Sequence, residues 1–141
     1  MNVEIVKYEP DHAYWIIEKK IREHDKWLID FPSAQAVPLM WAEHPSYTLI
    51  IDGEIIMCLG VILTDENIGD AWTLMADDFC KYPIAVFKTC RNILEKIVLE
   101  HDLKRVQTFI DAKTPNGDPF IERLGFKEER TFKIFTMDFG G

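Results

Sequence analysis

The chain has 141 residues, 48% hydrophobic and 28% charged, which suits one domain whose core buries about two-thirds of the surface exposed on unfolding. Lys and Arg number 16 against 24 Asp and Glu, a formal net charge of −8 that argues against nucleic acid as a partner. No apolar run approaches the roughly 20 residues needed to span a bilayer.

In chain order, Asn2 to Tyr8 alternates apolar and polar residues like a half-buried strand. Its internal acid and missing basic lead-in separate it from a signal peptide. Pro10-Asp11 opens a helix on which Tyr14, Ile17, Ile21 and His24 or Asp25 follow helical spacing, with Lys19, Lys20, Arg22 and Glu23 on the wet side. Phe31-Pro32-Ser33 breaks the chain, and a short second helix runs toward Glu43 with Pro38 in its first turn. Asp52-Gly53 joins the runs Tyr47–Ile51 and Glu54–Leu63 and predicts a tight primed hairpin turn. Asp65-Glu66-Asn67 and Gly69 form a second turn before the buried strand Ala71–Met75.

From Ile84 to His101 the positions Ile84, Phe87, Cys90, Leu94, Ile97, Val98 and His101 define one helical face. Arg105–Ile110 is another strand, and Thr114–Asp118 a loop. Pro119–Leu124 is a brief helix ended by Gly125, the residue type that favours a left-handed cap. Lys127–Arg130 reads as a solvated turn and Phe132–Phe139 as the last strand. With no repeat, linker or low-complexity tract, the whole of 1–141 reads as one α+β domain.

Cys58, Cys80 and Cys90 have an odd count and no CxxC spacing, which fits a reducing, cytoplasmic compartment better than a disulfide framework. Cys58 and Cys90 fall on apolar faces and read as packing residues; Cys80 reads as a loop thiol. The scattered histidines make no ligand pattern, so no metal is assigned. Trp72 fits a core strand better than a pocket wall. Trp15, Trp27, Phe31, Trp41 and Tyr47 are core aromatics or, in part, an exposed patch that binds another protein.

The order strand, polar loop, long helix, strand, helix, Gly-Phe, strand over Thr73–Ala85 and Ile121–Phe126 resembles the core of the GNAT acyltransferase superfamily. That resemblance implies a mixed, mostly antiparallel central sheet of about six to seven strands with about four helices. The superfamily motif Leu-Ala-Val-x-Pro-x-x-Arg/Gln-x-x-Gly-x-Gly/Ala, laid without gaps on Thr73–Ala85, puts Cys80 at the Arg/Gln, Pro83 at the first Gly and Ala85 at the Gly/Ala. Only Ala85 matches. The later Asn-loop and Tyr-x-x-x-Gly-Phe motif falls on Asn116–Phe126, where Gly125 and Phe126 match and Ile121 replaces the tyrosine. Ala71-Trp72, Lys81-Tyr82-Pro83 and Phe120–Phe126 also resemble divergent GNAT-like proteins of tailed bacteriophages and prophages, some of them virion or virion-assembly proteins.

The resemblance implies acetyl-CoA as cofactor, held by Leu74, Met75, Ala76, Cys80, Lys81, Tyr82, Pro83, Ile84 and Ala85. It implies a small-molecule or protein amine as acceptor, with Asp77, Asp111 and Asn116 as candidate catalytic residues and Glu54 a more remote base. Backbone amides at a helix N-terminus suit a pyrophosphate, but Pro83 has no N–H, and Asp77 and Asp78 repel an anion unless they serve the turn or a cap. Lys81 supplies one positive charge. Ile121 has no proton for the departing thiolate, and Tyr82 lies in a different loop. The alternative is a non-catalytic phage or prophage module in the virion or host cytoplasm, with other phage proteins as partners; the oligomeric state is left open.

Overall fold

A computed structural model of the chain describes residues 1–22, 25–30, 32–109, 122–128 and 134–139. Seven strands form one sheet: β1 (Val3–Lys7), β2 (Ser46–Ile51), β3 (Glu54–Asp65), β4 (Ile68–Met75), β5 (Arg105–Phe109), β6 (Lys127–Glu128) and β7 (Ile134–Asp138). Their order is β1-β2-β3-β4-β5-β7-β6, antiparallel throughout except that β4 and β5 run parallel. The helices are α1 (Pro10–Lys19), α2 (Trp27–Asp30), α3 (Val37–Trp41) and α4 (Pro83–Glu100), with 3-10 turns at Pro32–Ala36 and Phe79–Lys81. The expected α+β sheet and its flanking helices are what the chain forms.

Alternation of side chains along each strand feeds two cores, one per face. Met57, Leu59, Val61 and Met75 turn toward α4 and meet Val86, Cys90, Ile93 and Ile97. Cys58 and Leu74 turn the other way, toward Tyr8, Ala13, Ile16, Leu28 and Trp41. At the Asp52-Gly53 turn φ is 50° and 81°, the positive pair a primed turn requires. Gly60 faces Ser46 across β2–β3, and a Cβ there would lie 2.4 Å from the Pro45 carbonyl oxygen.

Several sequence expectations shift. The first helix ends at Lys19, not near His24, because Ile21 leaves it to form a bridge with Ala76. Gly69 lies inside β4, not in the turn, and a Cβ on it would meet Val61 at 2.3 Å. On α4 the buried line is Val86, Thr89, Cys90, Ile93, Ile97 and Val98; Ile84 is 70% exposed and His101 is also exposed. Lys127-Glu128 is an edge strand paired with Thr136 and Phe135, not a solvated turn.

Candidate functional site

Two parallel strands that pair for only three residues make the site. β4 and β5 are joined at Ile68–Arg105, Gly69–Val106 and Asp70–Gln107, then part. Beyond that point β4 stays with β3 as far as Met75–Met57, and β5 stays with β7 as far as Phe109–Ile134. Side chains seal the apex: Gln107 Nε2 donates to Asp70 Oδ1 at 2.7 Å, and Thr108 Oγ1 donates to the Ala71 carbonyl at 3.0 Å. The hydroxyl thus occupies an acceptor that a continued ladder would use.

The Ala76 N–H bonds the Ile56 carbonyl on β3. Backbone groups alternate sides along a strand, so Leu74 and Ala76 turn to β3 while Thr73 and Met75 turn their N–H and C=O into the fork. Among the described residues no strand pairs with that edge of β4 from Thr73 to Met75. An extended chain carrying amides has the geometry to pair there, as a strand added to a sheet edge does. The mouth of the fork is crossed by the segment after α1, where the Asp77 N–H bonds the Lys20 carbonyl at 2.8 Å.

After β4 the loop turns tightly. Phe79, Lys81 and Tyr82 donate backbone N–H groups to Ala76, Asp78 and Phe79, each at 3.1 Å. Pro83 opens α4, whose first turn has no side-chain cap, and the Val86 N–H returns to the Tyr82 carbonyl at 3.0 Å. Pro83 takes a position whose N–H is an orphan in any helix. The helix ladder offers no acceptor to the N–H groups of Ile84 and Ala85. Two outward amides remain where the helix dipole favours an anion.

Leu74, Met75 and Ala76 are buried in the fork wall; Tyr82 and Ala85 are half-buried; Asp77, Cys80, Lys81, Pro83 and Ile84 are exposed. The structure thus gathers the residues from Leu74 to Ala85 at one end of the parallel strands. Asp111, Asn116 and Ile121 lie outside the described residues. Asp78 caps nothing with its side chain. Its carboxylate is drawn to Lys20 Nζ at 2.8 Å, an ammonium that also lies 3.5 Å from Glu54. The hydrogen bond to Asp78 is the main cause of an upward shift in the Lys20 pKa.

Helical spacing puts Lys20 on a wet helix face. No local pattern marks it, because its partners lie 34 and 58 positions away. Trp72 does join the core: it stacks on Trp41 at 3.9 Å and 5°, although its Nε1 is buried without a hydrogen-bond partner. Among the described residues no group of His, Cys, Asp and Glu is placed to hold a metal ion, and no helix is long and apolar enough to cross a membrane.

No protein-family model and no curated protein sequence matches the chain. Solved structures do. The PaiA N-acetyltransferase of Thermoplasma acidophilum, in complex with coenzyme A, is 16% identical with a TM-score of 0.70, covering 99% of this chain and 100% of its own. A GNAT-family acetyltransferase of Streptococcus pneumoniae is 14% identical with a TM-score of 0.71 over 99% and 100%. An acetyltransferase of Streptococcus agalactiae is 10% identical with a TM-score of 0.78 over 97% and 98%. The chain has the GNAT fold.

Proposed function

We propose that the chain binds an acyl-CoA, acetyl-CoA in the first instance, and transfers the acyl group to the amine of a small molecule or protein. The observation that carries this reading is the fork-side edge of β4 at Thr73–Met75, which no described strand of the sheet covers before the Ile21–Ala76 bridge and which lies one loop ahead of the uncapped start of α4. The residues fit the cofactor on chemical grounds. The β4 edge would pair with its amide arm, Leu74, Met75, Ala76, Cys80 and Tyr82 would wall it, and the Ile84 and Ala85 amides with Lys81 would face its diphosphate beside Pro83. When bound, a thioester supplies an activated carbonyl for attack by an amine.

Asp77, exposed at the mouth, is the candidate to take the proton from the attacking amine, with Asp111 and Asn116 assigned to the acceptor side by resemblance. Ile121 in the tyrosine position removes the usual acid for the leaving thiolate, which lowers the rate by about 10²- to 10⁴-fold without abolishing it.

A second reading has its own observation. The loop amides of Asp77, Phe79, Lys81 and Tyr82 already have partners within the chain, which leaves few for a diphosphate. This favours a non-catalytic GNAT-fold module that acts through contacts with other proteins; its phage or prophage origin, in the virion or host cytoplasm, rests on the sequence resemblance alone. Thermal unfolding with acetyl-CoA and CoA separates the two. Ligand at a hundred times Kd adds roughly 2.7 kcal/mol of stability. A rising midpoint supports the enzyme, and a flat response to millimolar ligand overturns it in favour of the module.

A further inference from the structure

Two adjacent aspartates at the entrance to an anion site oppose its function unless one of them is silenced. The structure separates them. Asp77 is exposed, whereas the Asp78 side chain is 13% exposed, with Oδ2 on Lys20 Nζ at 2.8 Å and Oδ1 buried without a hydrogen-bond partner. A carboxylate taken out of water with one bare oxygen depends on a contact countercharge. Lys20 is fixed for that duty. Its carbonyl holds the Asp77 N–H, its ammonium lies 5.9 Å from the centre of the Trp15 ring, and Glu54 approaches it at 3.5 Å.

We propose that Lys20 is a positioning residue that neutralises Asp78 beneath the 77–82 loop, and so permits a CoA diphosphate at the start of α4. The inference rests on the acyl-CoA reading above. Asp77, Asp78, Lys81 and the nearby Glu54 together carry two net negative charges, and Lys20 lowers this to one. The bond from the Lys81 N–H to the Asp78 carbonyl folds the loop back, so the two Cα atoms lie within about 7 Å. An unmasked Asp78 would therefore repel a diphosphate at the next turn, most strongly at low salt, where the Debye length grows from about 10 Å at 0.1 M to about 30 Å at 0.01 M.

The test is calorimetric titration of CoA into wild type, K20M, K20R, D78N and K20M/D78N at low and high salt. K20M is expected to bind about tenfold more weakly, with the deficit shrinking at high salt, K20R to bind nearly as wild type, and K20M/D78N to recover to within about threefold. Recovery in the double variant is a result that mere loss of loop packing does not produce. Equal affinity for K20M and wild type overturns the proposal, as does a double variant no better than K20M. If K20M does not unfold cooperatively, D78N decides: affinity equal to or above wild type supports the proposal, and a threefold loss overturns it. Wild type that binds no CoA defeats the underlying reading first, a distinguishable failure.

Discussion

Burial sets the behaviour of individual thiols and phenols in this chain. Desolvation pushes Cys58 up to about 12, partly offset by its contact with Thr48, and pushes Cys90 up to about 12 beside Met57. Cys80 is exposed. Iodoacetamide at pH 8 is therefore expected to add one carbamidomethyl group to the native protein, at Cys80; a second native-state adduct in intact-mass spectra contradicts the assignment. Tyr8 is shifted upward by burial and Lys20 by Asp78, so the resolved shifts at all of these residues share one sign. The folded form keeps protons that the unfolded form loses. Stability from the thiols is full below their ordinary value of 9.0 and drains as pH rises toward about 12. The urea midpoint is predicted to hold steady from pH 7 to 8.5 and to fall beyond about 9. A midpoint that climbs there defeats the argument.

Elements are fixed where local pattern and long-range pairing agree. On β3, Gly60 leaves no room for a Cβ against the Pro45 backbone, which cannot yield as a flexible side chain does. Gly60→Ala is predicted to cost about 3 kcal/mol in urea unfolding; a cost under about 1 kcal/mol shows that the β2–β3 pair shifts freely. The Asp52-Gly53 hairpin and α4 were legible because turn chemistry and helical period are local signals. The end of α1 was not legible, since Ile21 suits the helical spacing and the second core equally well, and only its bridge to Ala76 decides the matter. Ile84 falls off the α4 core face because the buried line runs through Val86, Cys90, Ile93 and Ile97, and a residue two before Val86 sits about 200° round the helix. Charged Lys127-Glu128 carried no strand pattern, yet charge suits an edge strand that must not recruit another chain.

For the whole molecule, the proposed function depends on one departure from regular pairing. A parallel pair that ended with its strands would leave no opening, but β4 runs on for five residues after its last partner on β5, and between the Thr108 bond at Ala71 and the Ile21 bridge at Ala76 no described strand of the sheet covers its edge. The residue pattern suggests the participants at that opening but not how far it runs, because its extent depends on register and on the Thr108 hydroxyl, which takes the Ala71 carbonyl. Structures 10–16% identical share the fold, and a fold alone does not fix the chemistry, which must be read from the site itself.

An acyl-CoA bound as proposed contacts both the β4 edge at Thr73–Met75 and the first amides of α4. An amide-resolved NMR titration with CoA tests it most directly. Saturable shifts are expected at the backbone amides of Thr73, Met75, Ile84 and Ala85, with β1 and β2 unmoved. Saturable shifts confined to other residues, or none at millimolar CoA, contradict it.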